Sequence, residues 1–157
     1  MTSCNVVEIT GDQPRFISAE YDPAIEISLV IPTYDEADNI VSLLRGLHAA
    51  LAATGVGFEL IVVDDDSPDE TWQVAAELAI EIPELIVIRR SEATGLATAV
   101  IGGWARARGR LLGAIDGDGQ HPPHVIEDLF LSISKGADVA VASRHLPDGG
   151  MVGWSAG

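Results

Sequence analysis

Short apolar runs at residues 25–31, 58–63, 85–88, 111–115 and 137–142 recur at nearly even spacing, and each has the length of a β-strand. The segments between them carry a helical period instead. Ile40, Leu43, Leu44, Leu47 and Leu51 fall on one stripe. A second helix is expected to open at Ser67-Pro68-Asp69-Glu70, with Ser67 as N-cap, Pro68 in the first turn and Glu70 closing a capping box. A third is expected over roughly 96–108. A fourth, after Pro122-Pro123, puts Val125, Ile126, Leu129, Phe130 and Ile133 on one side. Strands alternating with helices of this length predict parallel strands joined by right-handed crossovers, a three-layer α/β sheet of the Rossmann-like kind. Runs that are apolar almost throughout agree with burial on both faces. Residues 1–24 show no sustained period and read as a loosely ordered extension to one domain over 25–157.

Charge removes one class of partner. Nine Lys and Arg against 24 Asp and Glu give a net charge of −15, so no phosphate-tracking nucleic-acid surface is expected. An anionic ligand would need a divalent cation or a few placed arginines beside it. The single cysteine, Cys4, the lack of an apolar run of about 18 residues and the lack of a signal-peptide pattern predict a cytoplasmic chain.

In open parallel sheets ligands bind off the carboxyl ends of the strands. The first run ends in Pro32-Thr33-Tyr34-Asp35-Glu36, with no G-x-G-x-x-G, which removes the main support for a nicotinamide cofactor. The second ends in Asp64-Asp65-Asp66-Ser67 and the fourth in Asp116-Gly117-Asp118-Gly119-Gln120. Carboxylates at 35, 36, 64, 65, 66, 116 and 118 would thus converge on one edge with almost no lysine nearby. Hard divalent metal ions relieve such crowding, and Asp116, Asp118 and Gln120 can offer oxygens to Mg²⁺ or Mn²⁺ on one short loop. The same Asp-Gly-Asp-Gly also reads as a plain turn. The three acids at 64–66 read equally as helix capping, and Arg144, after the fifth run, as a surface ion pair or a phosphate clamp.

Taken in order, several of these segments resemble glycosyltransferase family 2, and within it the dolichol- or polyprenol-phosphate mannose synthases. They are Ile31-Pro32-Thr33-Tyr34-Asp35-Glu36 with Asn39-Ile40, Val62-Val63-Asp64-Asp65-Asp66-Ser67-Pro68-Asp69, Gly95-Leu96-Ala97-Thr98-Ala99, Asp116-Gly117-Asp118-Gly119-Gln120-His121-Pro122-Pro123, and Ala142-Ser143-Arg144-His145 with Gly149-Gly150 and Gly153-Trp154. The resemblance implies a GT-A fold with Pro32, Tyr34, Glu36, Val63 and Asp65 on the nucleotide. It places Asp116, Gly117 and Asp118 at the diphosphate, Asp116, Asp118 and Gln120 on Mg²⁺ or Mn²⁺, and Arg144 toward the lipid phosphate. Gly117 and Gly119 stand where the family has Ala and Leu, which predicts a looser loop. The chain ends at Gly157, before the helices that would follow in such an enzyme, so a C-terminally truncated domain is expected, with membrane contact made only by segments beyond it.

The reaction implied is an inverting transfer of a sugar, mannose from GDP-mannose, to a polyprenyl or dolichyl phosphate, with Asp118 and Arg144 at the reacting groups. Another donor such as UDP-glucose, and a noncatalytic remnant, remain alternatives. A phospho-receiver domain is disfavoured because the only lysine, Lys135, precedes the fifth run.

Overall fold

A computed structural model describes the backbone of residues 6–9 and residues 19–91 and 95–142 in full. In chain order the elements are β1 (Val6–Ile9), β2 (Ile27–Thr33), α1 (Ala37–Ala53), β3 (Phe58–Asp64), α2 (Thr71–Leu78), β4 (Leu85–Arg90), α3 (Leu96–Trp104), β5 (Leu111–Ala114) and α4 (Val125–Ser134). They build one parallel sheet in the order β1-β4-β3-β2-β5.

The side-chain alternation of the central strands explains the three layers. Leu29 and Ile31 of β2, Leu60 and Val62 of β3, and Leu85 and Val87 of β4 turn to one face, where Ile40, Leu44, Leu47 and Leu51 of α1, Ala75 and Leu78 of α2 and Ile126 of α4 cover them. Val30, Ile61, Val63 and Ile88 turn to the other, against Ala99 of α3. At Gly103 α3 lies so close to the sheet that a Cβ would stand 2.5 Å from Val30 Cγ1. The chain winds outward from β2 through β3 to β4 and then returns to lay β5 on the other side of β2. With right-handed crossovers, that reversal is what sends α3 to the opposite face from α1 and α2. It also makes the β2/β5 boundary the topological switch point, the place where an open sheet of this kind leaves a crevice at its carboxyl edge.

Three expectations are corrected. Residues 137–142 form no strand: they carry no regular structure, and Val139 and Val141 are 75% and 77% exposed. β5 ends the sheet with its outer edge open, and this run does not pair with it, so no ladder converts its apolar residues into a strand. The fifth strand is instead Val6–Ile9, inside the segment read as an extension, paired in parallel with β4 from Val6↔Val87 to Ile9↔Arg90. The start of α2 also differs. Its N-cap is Glu70, in the left-handed region (φ 63°), with no side-chain cap bond, and Ser67 is engaged elsewhere.

Candidate functional site

The loops after β2 and β3 are stitched to each other at the carboxyl edge. The N–H groups that open α1 have no partners within their own helix. They donate to the neighbouring loop: Asp35 N–H to Ser67 Oγ (3.1 Å), Glu36 N–H to Thr71 Oγ1 (2.9 Å) and Ala37 N–H to Asp69 Oδ2 (2.8 Å). Asp69 Oδ1 also accepts the Thr71 N–H at 3.0 Å, so one carboxylate caps two helices. Burial alone would push the Asp69 carboxyl up, but the hydrogen bonds from the Thr71 hydroxyl and from the Ala37 and Thr71 amides outweigh it and hold the group below 3.8. A lowered folded value means that the stabilisation is full above the unfolded value and is lost as pH falls through the folded one. Asp69→Ala is therefore expected to cost about 1–2 kcal/mol near neutral pH, the upper range for a lost cap. The difference from the parent should shrink below about pH 4; denaturant melts at pH 7 and pH 3 check this, and an equal cost at both would show that the charge plays no part.

The three acids after β3 have separate tasks. Asp64 is fully buried and accepts from Thr33 Oγ1 (2.8 Å), Ser67 N–H (2.9 Å) and Ser67 Oγ (2.6 Å), which fixes the turn. Asp65 is paired with Arg90, whose Nε lies 2.7 Å from Oδ1, while its Oδ2 accepts the Gly95 N–H at 2.8 Å. Asp66 is paired with Arg89, whose guanidinium lies 4.5 Å over the Trp72 ring. The expected excess of uncompensated carboxylate is thus smaller than counting lysines implies. The parallel register sets Asp64 opposite Arg89, which brings the two arginines ending β4 beside the acids ending β3.

A cleft of about 410 Å³ opens at the carboxyl ends of β2 and β3 beside the start of α3, lined by Pro32, Thr33, Tyr34, Asp65, Gly95, Leu96 and Ala99. Pro32, Tyr34 and Asp65 are thereby brought together from two strand ends. Val63 is not part of the lining; its side chain is wholly buried in the layer beneath. Glu36 also lies outside it, with Oε2 accepting from Asn39 Nδ2 at 2.9 Å. Pro32 and Leu96 are shared with a second cleft of about 390 Å³, in which Asp116 and His121 join Val100, Ile115, Val125, Ile126 and Leu129.

Asp116, Gly117, Asp118 and Gln120 follow β5 on one turn. Gly117 is packed: a Cβ there would stand 2.8 Å from Pro32 O and from Thr33 Cγ2, so the glycine seats the loop against β2. Gly119, at φ 69°, occupies the left-handed region that the turn requires. Asp118 Oδ1 accepts the Gln120 N–H at 3.0 Å. Among the described residues no three His, Cys, Asp or Glu side chains cluster to hold a metal ion. Two carboxylates on a turn fit a cation that takes the rest of its shell from substrate oxygens, the usual habit of Mg²⁺, and do not form a protein cage. Arg144 lies outside the described residues. No helix among the described residues is long and apolar enough to cross a membrane.

A doubly wound parallel sheet with its crevice at the carboxyl edge, acids at the ends of β2, β3 and β5 and no glycine-rich dinucleotide turn is an architecture that nucleotide-sugar transferases of the α/β class use. The chain belongs to glycosyl transferase family 2, which it matches over residues 28–156. It is 42% identical over 130 residues to a dolichol-phosphate mannosyltransferase of Pyrococcus furiosus, covering 83% of this chain and 36% of the relative. It is 35% identical over 148 residues to a polyprenol monophosphomannose synthase of Mycolicibacterium smegmatis, covering 92% of this chain and 53% of the relative. The chain therefore spans about half or less of the length of these relatives. Among solved structures, a mannosyltransferase from Pyrobaculum calidifontis in complex with GDP-Man and Mn²⁺ superposes with a TM-score of 0.51 at 24% identity, over 66% of this chain and 32% of that one, which shows a shared GT-A fold.

Proposed function

We propose that the chain carries the donor-binding half of an inverting glycosyltransferase that moves mannose from GDP-mannose to a polyprenyl phosphate at the cytoplasmic face of a membrane. The observation that carries this reading is the carboxyl-edge cleft, where Pro32, Tyr34 and Asp65 converge beside Gly95 and Leu96. The names of the relatives from Pyrococcus furiosus and Mycolicibacterium smegmatis supply the sugar and the class of acceptor.

In this reading the apolar walls of the cleft, Pro32, Leu96 and Ala99, flank the nucleoside, with Asp65 as its acceptor of a hydrogen bond. Asp116, Gly117, Asp118 and Gln120 face the diphosphate, and Asp116, Asp118 and Gln120 hold Mg²⁺ or Mn²⁺. That cation, when bound, supplies compensation for charge gathering on the departing nucleoside diphosphate. A phosphate oxygen of the acceptor attacks the anomeric carbon as the bond from that carbon to the diphosphate oxygen breaks. The attacking group needs no strong base, because a phosphate monoester is already largely dianionic near pH 7. Placing and shielding it is the task given to Arg144.

Calorimetric titration of GDP with Mn²⁺, with and without chelator, tests the donor half. Binding is expected with the cation and loss of most of it on chelation, because the acidic edge repels a diphosphate that no cation bridges. Equal affinity in both conditions would remove the metal role from Asp116, Asp118 and Gln120.

A further inference from the structure

We propose that Arg90 is a positioning residue that acts on the nucleoside through Asp65, a role that rests on the donor-binding reading above. The Arg90 side chain is only 6% exposed and is absent from the cleft lining. Its guanidinium is engaged within the protein. Nε and Nη2 both donate to Asp65 Oδ1, Nη1 donates to Thr98 Oγ1 at 3.2 Å, and Nη2 also reaches Gly95 O at 3.4 Å. Thr98 Oγ1 in turn donates to Gly95 O at 2.8 Å. The fork thus ties the end of β4 to the carboxylate after β3 and to the first turn of α3.

The consequence for Asp65 is a division of labour between its oxygens. Two donors from one guanidinium occupy Oδ1, whereas Oδ2 accepts a single N–H, from Gly95, and is the oxygen with capacity left for a ligand donor. Asp65 is itself 10% exposed, and an unpaired carboxylate so enclosed would be costly and free to turn. Arg90 removes both problems: it compensates the enclosed charge where it stands, and it fixes the carboxylate so that Oδ2 stays toward the cleft. Lysine could keep the charge but not the planar fork. Arg89, one residue earlier, points to Asp66 and Trp72 and has no link to Asp65, which makes it an internal control.

The test measures, by calorimetry with Mn²⁺ on the whole chain, the affinities for GDP and for inorganic diphosphate. The proteins are the parent, Arg90→Lys, Arg90→Gln, Arg89→Gln, Asp65→Asn and the Asp65→Asn/Arg90→Gln double variant. The Arg90 variants are expected to weaken GDP binding on the order of tenfold to a hundredfold, the usual effect of losing the partner that orients a ligand-contacting side chain. Affinity for inorganic diphosphate, which has no nucleoside, should stay that of the parent. The double variant should bind GDP no more weakly than Asp65→Asn alone, because the two residues act as one unit. Near-UV circular dichroism reports packing, and if Arg90→Gln fails to fold, Arg90→Lys decides alone. Equal losses for both probes, additive losses in the double variant, or unchanged GDP affinity in Arg90→Lys would each overturn the proposal. A parent that does not bind GDP would overturn the donor-binding reading with it, whereas a parent that binds GDP while Arg90→Lys leaves its affinity unchanged overturns this inference only.

Discussion

Glu59→Ala is expected to cost about 3 kcal/mol of folding stability, near the lower end for breaking a buried ion pair. Glu59 is 1% exposed in the middle of the sheet. Its Oε1 accepts from Ser28 Oγ (2.6 Å) and the Arg108 N–H (2.7 Å), and its Oε2 from Arg108 Nε (3.0 Å) and Nη2 (2.8 Å). Ser28 Oγ also accepts the Gly109 N–H at 2.8 Å, so the one carboxylate fastens β2, β3 and the connection into β5. Removing it leaves a hydroxyl and a backbone donor unpaired below the surface, and such groups are costlier unmade than their bonds are worth made. The Arg108 side chain is 41% exposed and can turn to water, which keeps the figure at the low end. For a domain whose total stability is typically about 5–15 kcal/mol, this loss moves the urea midpoint far. Glu59→Gln, which keeps an acceptor at both Ser28 and the Arg108 amide, should lose less. A cost below about 1 kcal/mol for alanine would mean that the pair behaves as a solvated surface bridge.

That network was not legible in the sequence, and the reason separates what periodicity can and cannot carry. Period alone located β2, β3, β4 and β5 and all four helices to within a few residues at most ends, because each buries a face whose spacing is dictated by its own geometry. It could not say which strands are neighbours. Glu59 sits in an apolar run as an apparent interruption, and only the β2/β3 register, Ser28↔Glu59, shows why it is there. The same lack of register hid Arg89 and Arg90 from the acids at 64–66 and made residues 137–142 read as a strand.

The candidate site divides along the same line. Pro32, Tyr34 and Asp65 meet in one cleft because they follow adjacent strands, which a motif reading anticipates without coordinates. Val63 and Glu36 belong to the same motifs, yet the strand pleat turns Val63 into the core, and Glu36 is engaged at the start of α1. Asp69 shows the opposite failure. The capping-box pattern assigns it to the start of α2 alone, whereas its bonds to Ala37 and Thr71 join the openings of two helices. Helix-capping patterns describe one helix at a time, so a cap supplied to a second helix from a distant loop leaves no trace in them.

Asp118→Asn is expected to weaken Mn²⁺-dependent GDP binding on the order of tenfold or more without measurable loss of stability. The two readings of the Asp-Gly-Asp-Gly segment, turn and cation site, are separable at this position. Asparagine retains an Oδ1 that can accept the Gln120 N–H, so the bond that shapes the turn survives the change. The negative charge does not survive, and with it goes one of the two carboxylate oxygens a hard cation prefers. Gly117 supports the same separation, since the loop is seated on β2 by close backbone packing at Pro32 and not by the Asp118 side chain. A half-exposed turn residue also contributes little to the core. Circular dichroism, a urea melt and a GDP titration with Mn²⁺ on one preparation decide the matter. Unchanged binding would reduce Asp118 to a turn residue, whereas lost binding accompanied by a lowered midpoint would show that the charge holds the loop itself and not the cation.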